Sequence, residues 1–422
     1  MLDIHFIRKN KELVERTCRE KKMDVDLSYL LDLDEKRRSI LKDIEEKKHK
    51  RNVSSKLIGK LKKEGKNTDD VMREMKVLSE EIKKQDEHLS NLENEIREIM
   101  ESIPNVPLQD VPWGGEENNK VIYEYGEKKV FEFKPRRHDV IAENLGLVDF
   151  KRGAKISGSG FLLFRKYGAL LERALINFMI DTHTEENGFE EVSPPFLVNR
   201  KSMFGTGQLP KLEEDMYGIE NGKFFLVPTA EVPVTNIFAN EVLNEKDLPK
   251  KFVAYSPCFR REAGSYGKET IGMMRVHQFD KVELVKIVRP EDSESEHKDL
   301  LNCSESILKK LGLHYRVVLL AVGDMSFAAA KCYDIEVWAP GMDKYLEVSS
   351  CSNFMDFQAR RMKMRFKRKN GGKMEYPHTL NSSGLALPRT VIAIIENNQN
   401  EDGSVNIPDV LIPYMKGIRV LK

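Results

Sequence analysis

From Met75 onward the positions Met75, Leu78, Ile82, Gln85, Leu89, Leu92, Ile96 and Ile99 step by alternating threes and fours, all but Gln85 apolar. That spacing keeps one stripe of a helix apolar, so a long helix with a seam in need of a partner is predicted. The same stepping upstream picks out Leu33, Ile40, Ile44, Ile58 and Leu61, with Lys47, Arg51 and Ser54 at the intervening seam positions. Between the two stretches, Gly65-Lys66-Asn67-Thr68-Asp69 reads as a turn, with Thr68 or Asp69 as the N-cap of the second helix. The pattern therefore predicts an antiparallel helical hairpin, a two-helix coiled coil. At 1.5 Å per residue, arms of about 33 residues reach roughly 50 Å, farther than packing within a small domain requires.

Composition sharpens the boundary of this unit. Residues 28 to 103 are highly charged and nearly free of aromatics, and no proline precedes Pro104. Pro104, Pro107 and Pro112, with Gly114-Gly115, then mark the exit, so residues 1–103 and 104–422 are expected to be separate domains. In the second, helical stretches such as Leu162 to His183 mix with β-rich ones: Lys251 to Tyr255, Val276 to Val288, Asp334 to Trp338 and Tyr345 to Val348. The expected class is α+β, built on an antiparallel sheet flanked by helices.

Net charge alone says little, because 69 basic residues nearly cancel 68 acidic ones. Its distribution says more. Lys36 to Lys66 hold 13 basic and four acidic residues, whereas Asp69 to Glu101 hold 11 acidic and five basic. The bland reading is a salt-bridged coiled coil; the alternative is a nucleic-acid arm, in which the run Lys47-Lys48-His49-Lys50-Arg51 faces a phosphate backbone. The five cysteines are scattered without paired ligand spacing, which points to a reducing compartment and no structural zinc. The N-terminus soon becomes charged, and no apolar run approaches the roughly 18 residues of a membrane span, so a cytoplasmic, non-membrane location is expected.

The strongest chemical signal is Phe259-Arg260-Arg261-Glu262, a connection containing Gly264, Gly267 and Gly272, then Arg275-Val276-His277-Gln278-Phe279. Two β-like segments flank a glycine-bearing loop with arginines near both ends. Such a hairpin can wrap a triphosphate, because guanidinium groups bind phosphate in a bidentate, permanently charged way and phenylalanine offers a face for a purine. Taken singly, any of these arginines reads as a surface ion pair. The whole pattern resembles motif 2 of the class II aminoacyl-tRNA synthetases, and Phe259 to Glu283 is similar to the seryl form almost letter for letter.

The other two class II motifs appear in order. Asn187-Gly188-Phe189-Glu190-Glu191-Val192-Ser193-Pro194-Pro195-Phe196-Leu197 resembles motif 1, with Pro195 at the signature proline. Asn381-Ser382-Ser383-Gly384-Leu385-Ala386-Leu387-Pro388-Arg389 resembles motif 3, with Pro388 where many class II enzymes carry glycine. The three motifs fall at about 174–198, 255–284 and 378–397. Further segments are similar to seryl-tRNA synthetases specifically: Pro228-Thr229-Ala230-Glu231, Tyr333 to Trp338, Glu347 to Asn353, and Asp356-Phe357-Gln358-Ala359-Arg360-Arg361.

The resemblance implies activation of L-serine with ATP and transfer to tRNA(Ser), extending to tRNA(Sec), by a homodimer whose interface includes Pro195. Arg260, Arg275 and Arg389 become the catalytic cations. ATP contacts are expected at Arg260, Arg261, Glu262, Arg275, Val276, His277, Gln278, Phe279, Glu347, Val348, Ser349, Ser350 and Arg389. Serine contacts are expected at Thr229, Ala230, Glu231, Arg260, Glu283 and Ser383, and Mg²⁺ at Glu347 and Ser350. On its own, His277 reads better as a hydrogen-bonding loop residue than as a general base. The hairpin becomes the tRNA arm, with Lys47, Lys48, Lys50 and Arg51 as its contacts. Two rivals are an amino-acid:carrier-protein ligase, which lacks the arm and uses zinc, and an inactive synthetase-like interaction protein, which the intact Arg260, Glu262, Arg275 and Arg389 oppose.

Overall fold

The computed structural model describes residues 1–263, 271–369 and 372–422. Gly264 and Gly267 of the motif 2 loop lie outside them. Contacts divide the chain into two compact units, Leu2–Ile103 and Pro104–Lys422.

The first unit is dominated by two long helices, α1 (Leu27–Lys63) and α2 (Asp69–Glu101). Asp26 caps α1 by accepting from the Tyr29 amide, and Gly65 turns the chain at φ +66°. At the start of α2 Thr68 occupies the N-cap position, as expected, but its hydroxyl reaches the Met72 sulfur at 3.6 Å and makes no capping bond; Asn67 Oδ1 accepts from the Asp69 amide at 2.7 Å. The seam follows the heptad stepping: Ile44, Ile82, Leu92 and Ile96 are buried. Where the stripe is polar the helices are joined by charge. Lys47 reaches Asp43 at 3.0 Å and Glu81 at 3.3 Å, Lys48 reaches Asp86 at 3.2 Å, and Gln85 bonds Asp43.

The second unit is built on an eight-stranded sheet: β1 (Lys120–Tyr125), β2 (Glu190–Glu191), β3 (Lys250–Phe259), β4 (Gln278–Val288), β5 (Tyr315–Leu319), β6 (Lys331–Ala339), β7 (Lys344–Asn353) and β8 (His378–Ala386). Their spatial order is β1-β5-β6-β7-β8-β4-β3-β2, and every pairing is antiparallel except the short β2–β3 edge. One face is covered by α3 (Lys166–Glu185), α6 (Ser293–Leu311) and α8 (Leu387–Asn397), among them Leu171, Leu175, Leu300, Ile307, Val391 and Ile394. Two shorter helices, α4 (Arg200–Thr206) and α5 (Glu231–Thr235), and the six-residue α7 (Phe357–Met362) matter for the other side.

The helix expected from Leu162 begins later, at Lys166. The reason is local pairing: the Arg165 amide donates to the Leu147 carbonyl and the Asp149 amide to the Leu163 carbonyl, both at 2.8 Å. Those backbone groups are committed to an extended contact, reinforced by the Val148–Phe164 bridge, and cannot join a helix. Similarly, Val276 and His277 precede β4 instead of opening it.

Candidate active site

Alternation along β4 creates the site. Successive side chains of a strand point to opposite faces, so Val282 and Leu284 enter the helix-covered core while Phe279, Lys281 and Glu283 turn the other way. β4, β7 and β8, with the residues that follow β3, thus wall a cavity of about 840 Å³. Its lining brings together residues far apart in sequence: Thr229 and Glu231, Arg260 and Glu262, Arg275, Val276 and Phe279, Glu347, Val348 and Ser350, and Ser383 and Arg389.

The cavity has two electrostatic ends. At the enclosed end, Thr229, Glu231, Lys281 and Ser383 line the cavity and are buried, whereas Glu283 is buried outside the lining, behind Lys281 and Ser383. Lys281 Nζ lies 2.7 Å from Glu283 Oε2, whose other oxygen accepts from Asn381 Nδ2 at 2.7 Å. Ser383 Oγ donates to Oε2 at 3.4 Å. Glu231 is held differently. Burial, and after it the charge of Glu283, pushes its carboxyl up to about 7.

At the open end stand the arginines. Arg260 follows β3, its Nε donating to the Pro228 carbonyl at 3.4 Å and its guanidinium lying 5.2 Å from the Phe279 ring centroid. Arg275 Nη1 donates to Glu262 Oε2 at 2.8 Å. Glu262 adopts φ +51°, a left-handed backbone that a non-glycine residue takes at a cost of order 1–3 kcal/mol. Here the chain must leave β3 sharply. Arg389 sits in the first turn of α8, where its Nη1 reaches the Glu347 carbonyl at 2.8 Å and the Glu347 carboxylate at 3.1 Å. Pro388 suits this position, since a first-turn residue needs no amide donor within the helix. At Gly384 the β8 register shifts, and an added Cβ would lie 3.0 Å from His183 Nε2.

Oxygen donors for a hard cation occur beside Arg389. Glu347 and Ser350 line the cavity, and Asp334 across the ladder has its carboxyl held well above the usual range by burial and by the Glu347 charge. Crowded carboxyls of this kind fit Mg²⁺, which is commonly bound by one or two carboxylates plus substrate phosphates.

Other expected residues are placed elsewhere. Arg261 is exposed, its amide donating to the Asp215 carbonyl at 2.8 Å; Gln278 is exposed at the start of β4. His277 braces the hairpin base: its Nδ1 lies 3.0 Å from the Arg260 carbonyl and its amide donates to Gly160. Ser349 turns from the cavity to donate to the Ser383 carbonyl at 2.7 Å, and Ala230 is packed in a small apolar cluster. Pro195 follows β2, outside the cavity lining. Conversely, the sequence reading gave no site role to Lys281, Asn381 or Gln358, although it quoted the last two within motif segments. Lys281 was findable, since a residue two positions before Glu283 on one strand shares its face.

This architecture is the class II aminoacyl-tRNA synthetase catalytic core, and residues 213–398 match the sequence profile described as the tRNA synthetase class II core domain (G, H, P, S and T). Residues 1–107 match the profile of the seryl-tRNA synthetase N-terminal domain. The serine–tRNA ligase of Syntrophobacter fumaroxidans is 52% identical over 99% of both chains. Among solved structures, the seryl-tRNA synthetase of Pyrococcus horikoshii complexed with ATP superposes with a TM-score of 0.93 at 38% identity, covering 100% of this chain and 99% of that one. The prolyl-tRNA synthetase of Giardia lamblia shares the fold alone, with a TM-score of 0.57 at 19% identity over 65% of this chain and 55% of its own. The chain belongs to the seryl-tRNA synthetase family.

Proposed function

We propose that this protein activates L-serine with ATP, releasing pyrophosphate, and then transfers the seryl group to the 3′ end of tRNA(Ser). The observation that carries this reading is the polarity of the cavity: arginines at its open end, a buried carboxylate and hydroxyl cluster at its closed end. Activation joins two anions, a carboxylate and a triphosphate, so the protein must position them and offset charge growing on phosphorus. Arg260, which lines the cavity and bonds the carbonyl of Pro228 next to Thr229, would bridge the serine carboxylate and the α-phosphate. Arg275 and Arg389 would hold the outer phosphates, Phe279 would stack on adenine, and Glu262 would order the loop or meet the adenine amino group.

Thr229, Glu231, Glu283 and Ser383 would receive the amino acid, Glu231 taking its ammonium group and Glu283 its hydroxyl. A site built to bond that hydroxyl discriminates strongly against alanine, which would leave the buried acceptor unpaired. Mg²⁺, held by Glu347 and Ser350, would neutralise phosphate charge when bound. Arg261, Val276, His277, Gln278, Val348 and Ser349 would support the nucleotide by shaping the hairpin and strand that carry those groups, and Ala230 by packing behind Thr229.

The basic face of α1, with Lys47, Lys48, Lys50 and Arg51, would grip the tRNA backbone by shape and phosphate, which an A-form stem permits without base reading. The same arm would accept tRNA(Sec). A homodimer joined partly through motif 1 and Pro195 would let one subunit's arm serve the other's site. The test is amino-acid-dependent ATP–pyrophosphate exchange across all twenty amino acids. Serine alone should support strong exchange; stronger exchange with another amino acid overturns the assignment.

A further inference from the structure

The segment Asp356 to Arg361 contains one residue whose bonds lead directly to the amino-acid end of the cavity. Gln358, on α7, is fully buried. Its Nε2 donates to Glu231 Oε1 at 2.7 Å and to the Thr206 carbonyl at 3.1 Å, while its Oε1 accepts from Thr379 Oγ1 at 2.7 Å. These bonds fix the orientation of the amide. Turned over, its oxygen would confront the Thr206 carbonyl, which can only accept, and its nitrogen would face the hydroxyl that now donates. Gln358 therefore presents an N–H, and only an N–H, to Glu231.

The charged groups facing Glu231 are Glu283 and Lys281 on β4 and Arg260 at the end of β3. From α4 and α7 the facing groups are the Thr206 carbonyl and the Gln358 amide, and the backbone amide of Glu231 itself donates to Thr229 Oγ1 at 3.2 Å. Burial and Glu283 favour the neutral carboxylic acid; the Gln358 donor, Lys281 and Arg260 favour the carboxylate. Burial and Glu283 outweigh the other three and push the carboxyl up to about 7, and the Gln358 donor limits that rise.

Resting on the serine-activation reading above, we propose that Gln358 is a positioning residue that poises Glu231 to lose its proton when the substrate's α-ammonium group binds. The step is a simple ionisation. The Glu231 O–H bond breaks, its proton passes to solvent, and the carboxylate pairs with an ammonium group that keeps its three N–H bonds. The incoming cation also offsets the repulsion from Glu283. Serine binding is thereby linked to proton release.

Isothermal titration of the full chain with serine at pH 7, in buffers of different ionisation enthalpy, reads that linkage directly. With Glu231 near half protonation, roughly half a proton should leave per serine bound. Gln358→Met removes the donor at similar volume. It should move the acid limb of the pH profile of kcat/KM for serine to higher pH by about half a unit or more, with the KM for ATP unchanged. If Gln358→Met fails to fold, Thr379→Val, which unfastens the amide, should move the limb in the same direction. Serine that binds with no buffer-dependent heat overturns the proposal, and so does an unshifted limb in a folded variant. Absence of serine binding or exchange would instead count against the serine-activation reading, so the two failures are distinguishable.

Discussion

Lys281 and Glu283 stand two positions apart on β4, on the same face, and close a buried ion pair of 2.7 Å at the enclosed end of the cavity. Their side chains are 7% and 0% exposed, so neither charge has water to fall back on. A pair this deep is held by its partners, here including Asn381.

Breaking that pair from one side should be costly. Lys281→Met leaves Glu283 buried without its cation and is expected to destabilise the protein by about 3–5 kcal/mol, lowering the urea midpoint. The double substitution Lys281→Met/Glu283→Gln should recover much of this stability while serine use stays impaired. A double variant no more stable than Lys281→Met would contradict the account.

Arg260→Ala should leave the fold intact, because among the described residues this side chain makes one long bond to the Pro228 carbonyl and lies over the Phe279 face. It should lower turnover in serine-dependent exchange at least about a hundredfold, the usual scale for loss of a donor to developing charge. A folded variant retaining more than half of normal exchange would remove Arg260 from the mechanism.

Arg389 and Glu347 act as one unit in the structure, through both a backbone and a side-chain acceptor. Arg389→Ala and Glu347→Ala should each raise the KM for ATP more than that for serine. Because they share a contact, the double variant should lose less than the sum of the two free-energy penalties. Strict additivity would show that the contact has no part in binding ATP.

The arm's basic residues should divide by role. Lys47 is bound into the seam by Asp43 and Glu81, whereas Lys50 is exposed. Lys47→Ala should therefore loosen the hairpin, measured by helix melting. Lys50→Ala should raise the KM for tRNA and flatten its salt dependence without altering melting. Replacing residues 36 to 97 with a Gly/Ser linker should spare activation and sharply reduce transfer. Normal charging by that deletion at low tRNA concentration would make the hairpin a structural coiled coil only.

His378 offers a pH test of stability. Burial lowers its pKa to about 4 from an ordinary 6.5, so the unfolded chain takes up a proton there before the folded one does. The stabilising contribution is complete above pH 6.5 and is lost as pH falls toward 4, with a ceiling on the order of 3 kcal/mol. His378→Phe should lose less stability than the unaltered protein between pH 7 and pH 4.5. Equal losses in urea unfolding would show that His378 does not titrate as described.

Much of the fold was legible because its signals are local. Heptad stepping needs only residues three and four apart, and the hairpin appeared where Met75 to Ile99 and Leu33 to Leu61 predicted it. The arginines of motifs 2 and 3 were legible because they stand in contiguous motifs at recognisable spacings. The structure gathers Arg260, Arg275 and Arg389, whose sequence positions span more than a hundred residues, around one cavity. Helix starts were less legible, as at Lys166, because a distant carbonyl competed for the Arg165 amide.

The sequence by itself determined the two-unit plan, the helical hairpin, the antiparallel class of the sheet and the arginines that line the cavity. Each of these depends on periodicity, composition or a contiguous motif. Tertiary structure alone decided which polar residues meet at the enclosed end. Glu231, Gln358 and Thr379 belong to three separate elements, and Lys281 gains its partner from strand register. Burial is a property of the assembled layers. A carboxyl pushed up to about 7, or an amide held to one orientation, exists only after those layers have excluded water.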